Sequence, residues 1–130
     1  MWTYEGNIFS VVPENIIGFV YLITNTLTTR QYIGKKLFTF SRIRRVKGKK
    51  KRFKIESDWR EYYGSNKELL NDITSLGKEH FNREILYLCS TKGQCSYYET
   101  YEIFNRRALL TEDFYNAWVT CKISKTHLKL

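Results

Sequence analysis

The amino-acid sequence predicts one α+β domain, in which a small mixed or antiparallel β-sheet is flanked by helices. Three observations lead to this prediction. Residues 16–24, IIGFVYLIT, are rich in β-branched and aromatic side chains, which is typical of a buried strand. Residues 65–68, SNKE, fit a capping box at a helix start. Apolar residues between Tyr97 and Ala108 recur at steps of four and three, which indicates a second helix.

The first half of the chain is expected to contain a hairpin and an interrupted helix. Residues 1–15 are poorly patterned, and we interpret them as an N-terminal arm or an edge segment. A polar turn after the strand at 16–24 leads to a return strand, Arg30–Ile33, which Gly34 ends. Leu37–Val46 is expected to begin a helix that the following Lys/Arg run and Gly48 disrupt.

The second half is expected to alternate helices and strands without a linker or an internal repeat, so the chain 1–130 is treated as one domain. The predicted elements are a loop or short helix over 55–64 with an exposed Trp59, a helix over 66–76 before Gly77, a strand over Phe81–Leu88, a helix over 94–108, and a last strand over 115–123.

Composition excludes several classes of protein. A hydrophobic content of 42% with 27% charged residues is typical of a soluble globular domain. No apolar run reaches the roughly 18 residues that a membrane span needs, so no membrane partner is expected. The N-terminal sequence MWTYEGNIF lacks the pattern of a secretion signal. We therefore expect a cytoplasmic protein, located in the host cytoplasm if a phage encodes it.

The excess of positive charge is confined to one segment. The net charge is +9, and residues 42–54 hold nine basic side chains and no acid. Without them, 13 basic residues face 13 acidic ones. Such a patch attracts a polyanion, although a solvated loop is the alternative. The predicted DNA contacts are Arg44, Arg45, Lys47, Lys49, Lys50, Lys51, Arg52, Lys54, Arg60 and Trp59, the last of which either stacks on bases or packs under the segment.

Two tyrosines on the predicted hairpin suggest phosphodiester chemistry. Tyr21 and Tyr32 are eleven residues apart, so paired strands can bring them onto one face of the sheet, within reach of one phosphate. Hydrolysis of a phosphodiester needs a nucleophile, a stabiliser of charge on phosphorus and help for the leaving oxygen. Two phenols, a guanidinium and a carboxylate with one metal ion can supply these functions.

The hairpin motif resembles that of a known nuclease family. Gly18-Phe19-Val20-Tyr21 followed by Tyr32-Ile33-Gly34 resembles the paired signature of the GIY-YIG nucleases, with Phe19 replacing the usual glycine. Arg42, Glu99 and Asn116 then follow in the order of the family's arginine, metal-binding glutamate and late asparagine. The resemblance covers residues 17–118, and it implies a GIY-YIG-like fold.

The resemblance also implies an activity and roles for residues. The chain is expected to be a DNA endonuclease that depends on Mg²⁺ or Mn²⁺, with Glu99 as the metal ligand and Glu102 as its competitor. A tyrosine of the pair acts as the base or orients water. Arg42 clamps phosphate from the start of a helix, and Asn116 completes the site. Lys35 and Lys36 either supply charge near the phenols or contact phosphate.

Alternatives remain at this point. A non-catalytic nucleic-acid-binding module, or a basic RNA-associated protein, would use the same positive patch without the tyrosine pair and Glu99. Within the nuclease hypothesis, a phage homing enzyme, a restriction enzyme and an enzyme that degrades host DNA are all compatible with the motifs. A staggered double-strand break would require a homodimer on DNA or two successive cuts.

Overall fold

The computed structural model describes residues 1–128, which form a five-stranded mixed sheet, a separate two-stranded hairpin and flanking helices. The five-stranded sheet has the order β2-β1-β7-β3-β4, in which only the β1–β7 pair is parallel. The predicted α+β class is therefore confirmed. The elements are β1 (Trp2–Tyr4), β2 (Asn7–Ile8), β3 (Gly18–Asn25), β4 (Gln31–Leu37), β5 (Thr39–Val46), β6 (Lys49–Glu56), α1 (Lys67–Leu76), β7 (Phe81–Cys89), α2 (Lys92–Asn105) and α3 (Lys125–Leu128), with short 3₁₀ turns at Trp59–Glu61, Lys78–His80 and Ala108–Leu110.

The predicted hairpin is the β3–β4 pair. Its turn is held by the buried Asn25, whose Oδ1 accepts hydrogen bonds from the backbone N–H groups of Leu27 (3.0 Å) and Thr28 (3.3 Å). An asparagine side chain that bonds the backbone ahead of it is a common way to close a turn. The resulting register places Tyr21 opposite Gly34, and it fixes every later position in the pair.

The two faces of the sheet are covered by different layers. On one face, Phe19 and Tyr21 pack in an aromatic core that also includes Trp2 and Trp59. Phe19 is fully buried and stacks on Phe38 at 4.7 Å between ring centroids, so this core uses the side chain that replaces the motif's glycine. Helix α1 adds Leu69 and Ile73 to the same core, and α2 covers the opposite face with Cys95 and Ile103 against Val20, Leu22 and Ile33.

The prediction that a helix begins in residues 37–46 is wrong. These residues include the whole of β5, which pairs with β6 in a hairpin that contains the whole basic segment 42–54. Its two-residue turn is Lys47-Gly48, where both residues have positive φ, as a type I′ turn requires. Within the described chain, the extensive contacts of β5 and β6 are with each other. The basic segment is therefore an ordered ribbon.

The expectation of an exposed Trp59 is also wrong. Trp59 is only 1% exposed, because it packs against Phe38 and Trp2 in the aromatic core. Conversely, Tyr97, Tyr101 and Phe104 lie on the exposed face of α2, which buries Cys95, Glu102 and Ile103 instead.

The N-terminal residues form an edge segment, one of the two alternatives predicted for residues 1–15, because β1 and β2 lie at one edge of the sheet, β1 pairs in parallel with β7 and Trp2 is buried. The strand predicted over 115–123 is absent from the described residues. The segment is extended beside β4, and the nearest ladder contact is the single bridge between Gln31 and Phe114. The helices over 66–76 and 94–108 and the strand over 81–88 are confirmed with shifted ends. No helix in residues 1–128 is long and apolar enough to cross a membrane.

Candidate active site

A cleft of about 520 Å³ lies along the open edge of β4. Four of the predicted site residues line it: Tyr32, Lys35, Glu99 and Asn116. Its other polar lining includes Ser65 and Asn66, which immediately precede α1. The sheet edge, α2 and the segment around Asn116 therefore bring together residues up to 88 positions apart in the sequence.

Tyr32 and Lys35 reach the cleft from opposite faces of β4. Tyr32 shares a face with Gly34 and Tyr21, whereas Lys35 is opposite Val20 on the face that α2 covers. The Lys35 ammonium donates a 2.7 Å hydrogen bond to Ser96 Oγ on α2. Because no full strand pairs with β4 on this side, side chains of both of its faces can meet at one cleft.

Glu99 is the only acidic side chain among the described residues that line the cleft. It is half-buried on α2, whose N-terminus is capped by Thr91 Oγ1 accepting from the backbone N–H of Gln94. Burial raises the pKa of the Glu99 carboxyl, and the nearby Lys35 ammonium partly opposes this shift. No hydrogen bond or ion pair within residues 1–128 engages the carboxylate. It is thus a charge without a protein partner, which is the condition in which a carboxylate binds a cation.

Glu102, the competing carboxylate, is already paired. It is buried, accepts a 3.0 Å hydrogen bond from the Tyr87 hydroxyl, and forms a 3.0 Å ion pair with Arg106 Nε. It does not line the cleft. Glu102 therefore has a structural role, whereas the Glu99 carboxylate is available to bind a cation in the cleft.

The two tyrosines of the motif adjoin but differ in exposure. Their ring centroids are 6.2 Å apart. Tyr21 is 1% exposed beneath the cleft, and Tyr32 is half-buried, with its hydroxyl 3.5 Å from Ser65 Oγ. Burial raises the pKa of both phenols, most strongly at Tyr21, and the Glu99 carboxylate adds to the shift at both. Both hydroxyls therefore keep their protons at neutral pH in the metal-free protein.

The Asn116 side chain is occupied by the backbone of β4. Its Oδ1 accepts from the Ile33 N–H at 3.0 Å, and its Nδ2 donates to the Ile33 carbonyl at 2.9 Å. This amide pair replaces the missing backbone ladder along the edge of β4. Asn116 consequently fixes one wall of the cleft through the residue next to Tyr32.

Arg42 and Lys36 do not line the cleft. Arg42 is an exposed residue of β5, with its guanidinium 5.0 Å from the Phe40 ring centroid, rather than a residue at a helix start. Lys36 forms a 2.6 Å ion pair with Asp58 and lies 4.1 Å from the Tyr62 ring centroid. The cleft's one cationic side chain among the described residues is therefore Lys35.

A basic track connects the cleft with the hairpin. We use this name for three adjoining depressions, the cleft included. The second depression adjoins the cleft and shares Lys35 with it. The third depression lies towards the hairpin and shares Phe40 and Lys92 with the second. Beyond the cleft, the described lining contains no acid, and its cations are Lys35, Lys36, Lys92, Arg42 and Lys54.

Two of the predicted DNA-contacting residues, Trp59 and Arg60, make contacts within the fold. Trp59 is in the core, with its Nε1 donating to Glu56 at 2.9 Å. Arg60 pairs with the same carboxylate at 2.9 Å and donates to the Ser10 carbonyl at 2.9 Å. Trp59 is therefore not free to stack on a base, whereas the Arg60 side chain remains 47% exposed.

Sequence reasoning did not single out Ser65, Lys92 and Trp118 as site residues. Trp118, on the rim of the cleft, is 73% exposed. In the sequence, Trp118 could have been identified by its proximity to Asn116. Ser65 could have been identified by its place directly after Tyr62-Tyr63-Gly64. Lys92 has no sequence signal, because it reaches the track only through the packing of α2 on the sheet.

One comparison with known proteins returned a match. A family model described as "Putative endonuclease segE, GIY-YIG domain" matches residues 2–119. No curated protein and no solved structure matches the chain. The matched range contains the whole cleft lining except Thr120.

Proposed function

The chain belongs to the SegE-type GIY-YIG endonuclease family, and from that premise we propose that it hydrolyses DNA phosphodiester bonds with one divalent metal ion. The observation that carries the proposal is the cleft in which an unpaired carboxylate, Glu99, adjoins the Tyr32 phenol and the Lys35 ammonium. The unpaired carboxylate repels a phosphate that enters the cleft, so a metal cation between the two would allow the phosphate to approach it closely.

The donor set of the cleft fits a magnesium or manganese ion held by Glu99. The Oδ1 atoms of Asn116 and Asn66 are already bonded to the backbone N–H groups of Ile33 and Leu69. One carboxylate, with waters and substrate oxygens, is an ordinary environment for Mg²⁺. When bound, the ion would supply positive charge against the negative charge that develops on the leaving oxygen.

Tyr32 is assigned to the attacking water. Its phenol lines the cleft and is protonated at neutral pH, so it can hold a water molecule in position by hydrogen bonding. Acting as the base would require positive charge nearby to lower its pKa. Tyr21 is assigned a positioning role, since it is buried and its ring packs beside that of Tyr32.

Lys35 and Arg42 are assigned to successive phosphates. Lys35 faces the cleft and would bind the phosphate under attack, while Arg42 would hold a phosphate further along the basic track. Both contacts are independent of base sequence. This assignment retains Arg42 as a phosphate clamp and moves it away from the reacting group.

The alternatives use the same track but not the same cleft. A non-catalytic binding module, of DNA or RNA, has no use for Glu99, whose charge repels phosphate and whose burial costs the folded protein stability. The nuclease proposal explains why the carboxylate is there.

Incubation of supercoiled plasmid with the wild-type protein tests the proposal. We expect nicking or linearisation with Mg²⁺ or Mn²⁺ and none with a chelator. Discrete fragments would favour a homing or restriction role, and a smear would favour DNA degradation. A linear product that appears only at high protein concentration would indicate a homodimer on DNA. Binding without conversion under every metal condition, or cutting of RNA alone, would overturn the proposal.

A further inference from the structure

The β5–β6 hairpin presents two faces of different character. Successive residues of a strand point to opposite sides, and the register pairs Arg42 with Phe53 and Ile43 with Arg52. On the side that we call the stacked face, the Arg44 guanidinium lies 4.1 Å from the Phe53 ring centroid. The open face, on the other side, carries Ile43, Arg45, Lys50, Arg52 and Lys54.

The open face is built for an external partner. Arg45 and Arg52 are exposed, and within residues 1–128 neither forms an ion pair, a side-chain hydrogen bond or a ring contact. The stacked-face arginines, Arg42 and Arg44, are instead placed over aromatic rings of their own hairpin. Two arginines with all their donors available are held on an ordered ribbon, where little further conformational freedom is lost on binding.

The dimensions of the hairpin suit one groove of DNA. Each strand has eight residues and spans about 26 Å, and the two strands are about 5 Å apart. The major groove of B-DNA is about 12 Å wide and admits a two-stranded ribbon, whereas the minor groove, about 6 Å wide, admits one only when the duplex is bent and the groove widened. The deep, narrow major groove of duplex RNA excludes it too.

The position of the hairpin relative to the cleft also matters. Arg42 and Lys54, near its base, line the same depression as Lys92, at the end of the basic track. A DNA backbone that follows the track from Glu99 would therefore reach the base of the hairpin. The groove beside that backbone then lies within reach of the hairpin.

We propose that the β5–β6 hairpin enters the major groove of duplex DNA and contacts guanine edges with Arg45 and Arg52. This inference rests on the proposed function, and it adds base recognition to a site that otherwise contacts phosphates. Arginine pairs bidentately with O6 and N7 of guanine, which a lysine cannot reproduce. Lys50 and Lys54 flank the two arginines and contact the phosphates that border the groove.

Groove-specific competitors test the position of the hairpin. The full chain, in chelator so that no cleavage occurs, is titrated onto a fluorescent 20-base-pair duplex. Methyl green, which occupies the major groove, is expected to weaken binding by about tenfold or more, and distamycin, which occupies the minor groove, by less than about twofold. The opposite order would overturn the proposal.

Selection from a pool of duplexes with a randomised centre tests base recognition. Wild type and R107K, a control in which lysine likewise replaces an arginine after α2, should enrich guanine at fixed positions. The R45K/R52K variant keeps the charge and should lose about tenfold in preference for guanine, with its salt dependence unchanged. Retained enrichment in that variant would overturn the proposal. Plasmid cleavage is measured separately, so cutting without guanine enrichment would refute this inference and leave the proposed function intact.

Discussion

Tyr21 and Gly34 lie directly opposite each other on β3 and β4, and the Tyr21 phenol occupies the space in which a side chain at position 34 would stand. A methyl group added to Gly34 would overlap the ring at its hydroxyl end. The motif therefore pairs a large residue with the one residue small enough to face it. That pairing leaves the buried ring of Tyr21 beside the ring of Tyr32, which lines the cleft.

Replacing Gly34 by alanine should destabilise the protein by about 1–3 kcal/mol, because it overpacks a rigid sheet. Urea denaturation of G34A against wild type measures the difference. In a Tyr21→Leu background, which leaves room for the methyl group, the same substitution should cost much less. An equal cost in both backgrounds would mean that Tyr21 is not the obstacle.

Glu99→Gln should raise the melting temperature in chelator at pH 7, because it removes the cost of a buried, unpaired charge. Burial raises the folded-state pKa of Glu99 above its ordinary value of 4.5, so ionisation destabilises the fold as the pH rises above that value. The advantage of the variant should therefore be full above the folded-state pKa and vanish below about pH 4.5. Thermal melts of both proteins across this range provide the measurement.

Metal binding should reverse the order of the two melting temperatures, so that the wild type melts above E99Q. Millimolar Mg²⁺ or Mn²⁺ is expected to raise the melting temperature of the wild type and not that of E99Q, because a ligand that binds only the folded state stabilises it. Glu102→Gln provides the matched control: it should lower stability by weakening the contacts with Tyr87 and Arg106, yet keep the response to metal. A response retained by E99Q and lost by E102Q would assign the ion to the other glutamate.

The amide pair between Asn116 and Ile33 should protect the edge of β4. In N116A, the Ile33 N–H loses its acceptor, and its hydrogen exchange should accelerate by at least about tenfold. The amides of β3, which are paired on both sides, should exchange as in wild type. Unchanged exchange at Ile33 would show that backbone packing alone protects this edge.

Tyr32→Phe should slow cleavage by about a hundredfold or more while leaving DNA affinity within a few fold, because it removes only the hydroxyl assigned to the attacking water. Single-turnover rates on plasmid DNA measure the effect. Tyr97→Phe, on the exposed face of α2, removes a hydroxyl from the side opposite Glu99 and should cut at the wild-type rate. A similar loss in both variants would point to a general effect of losing a phenol.

The sequence predicts the hairpin and two helices well, because their signals are local. Asn25 closes its turn through neighbouring N–H groups. The start of α1 is capped by Asn66, one residue after the Ser65 of the predicted capping box, and its side chain accepts from the Leu69 N–H. The β5–β6 hairpin was mistaken for a helix, because Lys and Arg are compatible with both structures. Only the pairing of residues 39–46 with residues 49–56 decides between them.

The remaining errors concern long-range packing. Trp59 is buried by residues such as Trp2, whose indole N–H donates to the Trp59 carbonyl at 2.7 Å across 57 positions. Helix α2 buries Glu102, which pairs with the partly exposed Arg106, and exposes three aromatics, so the hydrophobic periodicity that predicts this helix does not identify its buried face. Among the predicted site residues, Tyr32, Lys35, Glu99 and Asn116 line the same cleft. Arg42 lies outside it, because its position follows from the β5–β6 hairpin, which the sequence did not predict.

Single-turnover cleavage of supercoiled plasmid by wild type, E99Q and E102Q in Mg²⁺, with DNA affinity measured in parallel, tests the central claim most directly. The account predicts that wild type and folded E102Q cut at similar rates. It predicts that E99Q binds DNA within a few fold of wild type and cuts at least about a hundredfold more slowly. Cutting by E99Q at the wild-type rate would contradict the assignment of Glu99 as the metal ligand of the active site.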